Sequence, residues 1–171
     1  MKKLLLLALL PLSLFALTLH QTPPHVVIKG EDGGLVKGDK GWDSSSLHGN
    51  VFVLFYVDPD KKDTNEHYIQ ALKKFKKQNN LHFQSVAIIN LAATWKPNFV
   101  IEKILASKQK EFPKTIYVKD KHSVLVKKWG IADNNSDIII VGKDGKVLFY
   151  KAGAMSAQDI KKSFQIIKDN L

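Results

Sequence analysis

The side chains best able to do chemistry lie together in one acidic segment, which reads Asp58-Pro59-Asp60-Lys61-Lys62-Asp63. Carboxylate oxygens suit Ca²⁺ or Mg²⁺, and two carboxyl groups with different pKa values can act as a general acid and a general base. The spacing differs from that of a calcium-binding loop, because the fifth position counted from Asp58 is Lys62 and the sixth is Asp63 instead of glycine. One hypothesis for this segment is nevertheless a metal site of another kind, or a carboxylate pair of a non-thiol enzyme.

The other hypothesis is that the same residues only build a turn and start a helix. Asp63 is of a type favoured at the N-cap, and Glu66 stands three positions later, where a capping box places its second member. Asp58 and Asp60 would then flank a proline-centred turn. Apolar residues follow at helical spacing and predict a helix whose buried face carries Tyr68, Ile69, Leu72 and Phe75.

An apolar strand must position the acidic segment, since residues 51–57 read Val-Phe-Val-Leu-Phe-Tyr-Val immediately before it. A continuous run of β-branched and aromatic residues is typical of a strand buried on both faces, at the centre of a parallel sheet. The order of strand, sharp turn and helix N-terminus brings free N–H groups and the helix dipole together. The turn itself contains no nucleophilic side chain.

Cysteine is absent from all 171 residues, which excludes reactions that need a thiolate from this chain. The histidines are scattered and form no pair at zinc-ligand spacing. The glycines between Gly30 and Gly34 lie in a predicted hairpin and not at a strand-to-helix turn, so they do not form a phosphate loop. We predict no catalytic residue, no cofactor and no metal ligand with a recognised spacing.

The basic charge of the chain comes from lysine alone, and the formal net charge is +10. Specific recognition of nucleic acid relies heavily on arginine, and the absence of arginine argues against that function. Small lysine clusters occur at residues 73–77 and 108–110. They are interpreted as solvated helix faces, with weak attraction to an anionic membrane or another polyanion as the alternative.

The first 20 residues are typical of a secretory signal peptide, with cleavage expected between Ala16 and His20. Two lysines precede an apolar run from Leu4 to Ala16, which is too short to span a bilayer core of about 30 Å. No cysteine follows for lipid attachment. We expect export to the periplasm of a Gram-negative bacterium, no stable membrane span after processing, and a single domain over residues 21–171.

The rest of the chain alternates between strand and helix patterns. The N-terminal part predicts a hairpin formed by His25–Lys29 and Leu35–Lys37, followed by a loop anchored by Trp42. After the acidic segment and its helix, we predict strands at residues 81–90, 115–118 and 137–141. The pair Asp144-Gly145 predicts a tight turn into a last strand.

Three further helices are predicted between and after these strands. One begins after Pro97 and has an expected buried face of Phe99, Val100 and Ile104. A short one contains Trp129. The last is capped by Ser156 and Asp159. This alternation indicates an α/β fold with a central mixed sheet flanked by helices, which is the topology of thioredoxin.

Several segments resemble known families. Leu47–Phe55 is similar to the entry into the first central strand of peroxiredoxin-like and periplasmic thioredoxin-like proteins, and Asp137–Lys151 is similar to their closing hairpin. A narrower resemblance is carried by Phe55–Asp60, Ile88–Leu91, Ser107-Lys108, Glu111–Pro113 and Trp129-Gly130. These segments resemble the YtfJ-type family of small exported bacterial proteins, whose function is uncharacterised.

The resemblance implies where a site would lie and what it lacks. Thioredoxins place a Cys-x-x-Cys pair on the turn that is acidic here, and a cis-proline at about the position of Ser136. Both are missing, so the resemblance implies a binding or accessory protein without thiol redox activity. Its partner would be an extended peptide or another periplasmic protein, in a groove formed by Tyr56, Asp58, Pro59, Asp60, Asp63 and Ser136. Its oligomeric state is left open.

Overall fold

The computed structural model describes residues 17–38 and 40–171. Most of the predicted signal peptide, residues 1–16, lies outside these described residues. The strands of the described part are β1 (Val27–Ile28), β2 (Gly33–Leu35), β3 (Trp42–Asp43), β4 (Phe52–Val57), β5 (Gln84–Asn90), β6 (Ile116–Asp120), β7 (Ser136–Val141) and β8 (Val147–Lys151). The α-helices are α1 (Glu66–Gln78), α2 (Asn98–Glu111), α3 (Val124–Trp129) and α4 (Ala157–Asn170).

Six of the strands form one mixed sheet in the order β2-β6-β5-β4-β7-β8. Strands β4, β5 and β6 are parallel, and β7 runs antiparallel to β4. The turn between β7 and β8 has Gly145 at φ +78°, as the Asp-Gly pair predicts. The expected α/β architecture with a central mixed sheet is confirmed, and β4 is one of its central strands.

Each face of the sheet has its own hydrophobic layer, because alternate side chains of β4 point in opposite directions. Phe52, Leu54 and Tyr56 lie with α3 and the small β1–β3 pair, and Trp42 and Trp129 meet edge to face there. Val53 lies on the other face, with α1 and α4. The interpretation of Trp42 as a buried anchor is confirmed.

The N-terminal antiparallel pair differs from the predicted hairpin. Strand β1 pairs with β3, whereas β2 joins the main sheet beside β6. Glycine makes this second pairing possible, since a Cβ atom at Gly33 would lie 2.1 Å from the carbonyl oxygen of Lys119. The pairing of Leu35–Lys37 with His25–Lys29 was therefore wrong.

Helix α2 turns a different face inward from the one expected. Ile101 and Leu105 are buried against Leu91, Ile89 and Tyr117. The predicted core residues Phe99, Val100 and Ile104 are exposed instead. The helix has apolar residues on both sides, so local spacing could not identify the side that faces the sheet.

The N-terminal cap of α4 is the one predicted from the sequence, whereas the cap of α1, after the acidic segment, differs from the prediction. Ser156 and Asp159 form the predicted capping box of α4. Helix α1 starts at Glu66, and its N-cap residue Asn65 makes no side-chain cap bond. The prediction that Asp63 caps α1 was wrong, because the chain first completes a short 3₁₀ turn at Pro59–Lys61.

Candidate functional site

The acidic segment lies at the carboxyl end of β4, in the middle of the sheet. Asp58 is buried, and its Oδ1 accepts a hydrogen bond from the Asp60 backbone N–H at 2.8 Å, which caps the turn that begins with Pro59. The backbone N–H of Asp58 donates to the carbonyl of Asn135 at 2.9 Å, next to Ser136. The two segments predicted to line one groove are therefore adjacent.

The carboxylate of Asp60 binds the segment that follows β5. It accepts a hydrogen bond from the Thr94 hydroxyl at 2.8 Å and forms an ion pair with Lys96. The bond from Lys96, and then that from Thr94, lower the pKa of Asp60. Asp63 differs, because its carboxylate is largely exposed and contacts only the neighbouring Lys62 among the described residues.

Ser136 is buried and holds the start of α1 in place. The side-chain amide of Asn65 donates to the Ser136 carbonyl at 3.0 Å, to its hydroxyl at 3.2 Å and to the Gly153 carbonyl at 3.0 Å. The amide oxygen of Asn65 accepts from the backbone N–H of Met155 at 2.9 Å. One buried asparagine thereby joins α1, β7 and the segment before α4, with every polar atom satisfied.

Tyr56 does not face a groove. Its ring is buried, and its hydroxyl donates to Oδ2 of Asp120 at 3.1 Å, across the sheet. Asp120 also accepts from the backbone N–H groups of Val124 and Leu125 at 2.8 and 3.1 Å, which fixes the start of α3. Burial, followed by the charge of Asp120, raises the pKa of Tyr56 far above its ordinary value.

Another carboxylate, Asp137, is buried one residue after Ser136. Its Oδ2 accepts from the backbone N–H of Ala132 at 3.0 Å and from the Tyr150 hydroxyl at 3.1 Å. Its Oδ1 makes no hydrogen bond of good geometry to the described residues. The backbone N–H of Gly153 lies nearby and lowers the pKa of Asp137, but by less than Tyr150 or Ala132 does. Burial therefore dominates and raises the pKa of Asp137 to about 6.

A third polar group completes a layer at this edge of the sheet. The buried Asn90, at the end of β5, accepts from the Ser123 hydroxyl at 2.9 Å and donates to Asp133 at 3.0 Å. Asp120 and Asn90 were not predicted as site residues. The sequence signal available at Asn90 was a polar residue at the end of an apolar strand, and Asp137 carries the same signal at the start of one.

The carboxylates at this edge do not converge on a common point. Within residues 17–38 and 40–171, no group of three or more histidine, aspartate or glutamate side chains is arranged to hold a metal ion. Asp58 and Asp60 are instead occupied by the turn and by Lys96. The hypothesis of a metal or acid–base site in the acidic segment gains no support from this geometry.

A broad cleft lies at the opposite edge of the sheet. It has a volume of about 870 Å³ and is lined by Asn50, Gln84 and Ile116, which stand at the amino ends of the three parallel strands. Lys76 and Lys114 also line it. This cleft therefore does not coincide with the groove predicted at the acidic turn.

None of the described helices is long and apolar enough to cross a bilayer.

Solved structures with a thioredoxin-like fold superimpose on this chain. A thiol peroxidase from Chromobacterium violaceum superimposes with a TM-score of 0.63 at 10% identity, covering 90% of this chain and 88% of that one. A putative thioredoxin from Neisseria meningitidis gives 0.55 at 14% identity, over 81% and 89% of the two chains. The chain therefore has a thioredoxin-like fold, and it contains no cysteine for thiol chemistry.

The chain belongs to the family described as bacterial protein of unknown function (YtfJ_HI0045), whose profile matches residues 18–170. It is 31% identical over 160 residues to an uncharacterized protein of Haemophilus influenzae (88% of this chain, 85% of that one). It is 25% identical over 132 residues to the uncharacterized protein YtfJ of Escherichia coli K12 (75% and 71%). The resemblance inferred from the sequence is confirmed.

Proposed function

We propose that this chain is an exported binding or accessory protein that uses a thioredoxin-like scaffold without thiol redox chemistry. The observation that carries the proposal is that the acidic side chains in the turn after β4 are bonded to other parts of the scaffold. Where thioredoxins place their cysteine pair, Asp58 caps a turn and Asp60 is paired with Lys96. These side chains stabilise the scaffold and are not poised around a reacting atom.

The exposed rim of the same turn is the surface we assign to a partner. The side chains of Lys62 and Asp63 are 69% and 80% exposed, and Lys61 is exposed beside them. Asn134 is also exposed and stands at φ +53° in the neighbouring loop. Charged and amide groups of this kind can form hydrogen bonds with the backbone and side chains of an extended peptide or of a periplasmic protein.

Export is the second part of the proposal. The packing of residues just after Ala16 supports cleavage at the early end of the predicted window. The backbone N–H of Leu17 donates to the Trp129 carbonyl at 2.6 Å, and that of His20 donates to the Val147 carbonyl at 2.7 Å. Cleavage after His20 would remove both bonds, so we expect Leu17 as the first residue of the processed chain.

Export is tested by osmotic-shock fractionation of the bacterium and intact-mass measurement of the recovered protein. The expected result is a periplasmic protein with the mass of residues 17–171. Recovery in the cytoplasmic fraction with residues 1–16 still attached would overturn this part of the proposal.

Binding is tested by photo-crosslinking in living cells. A benzoylphenylalanine placed at Lys61 or Asp63 is expected to give a discrete adduct, whereas the same group at the exposed Lys162 of α4 is not. The variant Asp60→Ala, which releases Lys96 from the turn, should weaken the adduct. No adduct at the turn, or the same adducts at all three positions, would overturn the assignment of this surface.

A further inference from the structure

The outward face of α2 exposes large apolar side chains. Phe99 is 72% exposed and Ile104 is 50% exposed, and Trp95, three residues before the helix, is 85% exposed. Val100 lies beside Ile104 at helical spacing and is exposed as well. We call Trp95, Phe99, Val100 and Ile104 the α2 patch.

The α2 patch is not needed to hold the helix on the sheet. Ile101 and Leu105 do so from the opposite side, where they pack against Leu91, Ile89 and Tyr117. The other two tryptophans of the chain, Trp42 and Trp129, are buried in the core. A cluster of exposed aromatic and aliphatic side chains beside a fully packed inner face indicates an interaction surface.

Charge around the α2 patch is positive. Lys103 and Lys110 are exposed on the same side of α2 and form no ion pair within the described residues. Both carboxylates of the helix are neutralised, since Glu102 pairs with Lys121 and Glu111 pairs with Lys108, each at 2.8 Å. The whole chain is also strongly basic, with a formal net charge of +10.

We propose that the α2 patch docks on the surface of a lipid bilayer that contains anionic phospholipid. Exposed tryptophan, phenylalanine and aliphatic side chains can enter a bilayer interface, and neighbouring lysines add attraction to anionic lipid; both features occur together on this side of α2. The rings enter the boundary between headgroups and acyl chains, and Lys103 and Lys110 contact lipid phosphates. This inference goes beyond the proposed function, because it uses a different surface and does not depend on a peptide partner.

Trp95 reports directly on the proposal. Trp42 and Trp129 are buried in the core, so docking should not change their exposure to solvent. Any change in tryptophan fluorescence on docking is therefore expected to come from Trp95. Vesicles of phosphatidylcholine mixed with phosphatidylglycerol should shift its emission to the blue and protect it from iodide. Vesicles of phosphatidylcholine alone should do so much less, and added salt should reverse the effect. Trp95→Phe should lose the spectral change.

Sedimentation with the same vesicles tests the residues, using variants that share one N-terminus so that residues 1–16 contribute equally. Each lysine removed from an anionic surface is expected to weaken binding roughly fivefold. The double variant Lys103→Glu with Lys110→Glu should therefore weaken partitioning into the vesicles by at least that factor for each lysine. Phe99→Ser with Ile104→Ser should weaken it by at least about tenfold. The matched control, Lys161→Glu with Lys162→Glu on the exposed face of α4, makes the same charge change and should have a much smaller effect.

Three results would overturn the proposal. The first is no spectral change and no sedimentation with anionic vesicles. The second is an equal loss of binding in the α4 control, which would indicate attraction by net charge alone. The third is a blue shift of Trp95 that grows with protein concentration in the absence of lipid, which would assign the α2 patch to a contact between copies of the chain.

Discussion

The hydroxyl of Tyr150 donates a hydrogen bond to Oδ2 of Asp137 at 3.1 Å, between strands β8 and β7. The same hydroxyl accepts from the backbone N–H of Ala132 at 3.0 Å, so the tyrosine is fully satisfied. Asp137 is not, because burial removes water and its Oδ1 lacks a well-formed hydrogen bond to the described residues. Burial therefore raises the pKa of Asp137 above the ordinary value of an aspartate, to about 6.

The first prediction concerns the pH dependence of stability. The pKa of Asp137 is about 6 in the folded chain and near its ordinary value of 3.8 when unfolded, so the folded state binds more protons between these values. Stability from this group is complete below the unfolded pKa and declines as pH rises to about 6. From about pH 7.5 to about pH 4.5, Asp137 should add on the order of 2 kcal/mol to the free energy of unfolding.

Urea unfolding of the wild type and of Asp137→Asn at these two pH values measures this contribution. The variant should show a smaller gain on acidification, since its side chain cannot titrate. Tyr150→Phe removes a donor to the carboxylate and should move the transition to higher pH. Identical pH profiles for the wild type and Asp137→Asn would show that folding does not raise the pKa of Asp137.

The second prediction concerns Asp120, which is buried beneath Tyr56. Asp120→Ala leaves the N–H groups of Val124 and Leu125 and the Tyr56 hydroxyl without their acceptor, so it should lower the free energy of unfolding by about 3 kcal/mol or more. Tyr56→Phe removes only one donor and should cost about 1 kcal/mol. Urea unfolding of the two variants is the measurement, and equal losses would contradict the central role of Asp120.

The third prediction concerns Asn65. Asn65→Ala abolishes the bonds to Ser136, Gly153 and Met155, and should cost about 3 kcal/mol, because several buried backbone groups lose their partners. Asn79→Ala is the control, since the exposed side-chain amide of this residue, which follows α1, donates to the carbonyl of Phe75 and to no other described residue. Thermal unfolding should separate the two variants clearly. Similar melting temperatures would mean that Asn65 does not hold the three segments together.

The fourth prediction concerns divalent cations at the acidic segment. Millimolar Ca²⁺ or Mg²⁺ should change the melting temperature by no more than about 1 °C, because Asp58 and Asp60 are already occupied by the turn and by Lys96. A site filled at about 100 times its dissociation constant would add roughly 2.7 kcal/mol, which is several degrees for a chain of this size. Such a rise, reversed by a chelator, would restore the hypothesis of a metal site.

Local patterns in the sequence were enough for most elements of the fold. The apolar run of β4, the Asp-Gly turn before β8 and the capping box at Ser156 each depend on a few neighbouring residues. Pairing between distant segments was harder. The segments His25–Lys29 and Leu35–Lys37 both contain short apolar runs that predict strands. The strand that joins β6 is Gly33–Leu35 instead, and its pairing depends on the close approach that Gly33 allows to Lys119.

The sequence placed several of the predicted site residues close together, and their role in binding stays a prediction. Tyr56, Asp58 and Ser136 do lie at one edge of the sheet, because strands β4 and β7 are paired and place Val57 opposite Ser136. Their side chains are turned to structural partners, however, and those partners are far away in the sequence. Asp120 is separated from Tyr56 by 64 residues, and Ser136 from Asn65 by 71.

The sequence by itself determined the class of fold and the absence of thiol chemistry, because strand and helix periodicity and a missing cysteine are local or compositional properties. The tertiary structure alone decided which side of α2 is buried and which carboxylates are enclosed. Ile101 and Phe99 are both apolar residues on the same helix, and only packing against Leu91 and Tyr117 distinguishes them. Burial depends on contacts between distant segments, and no short stretch of sequence carries that information.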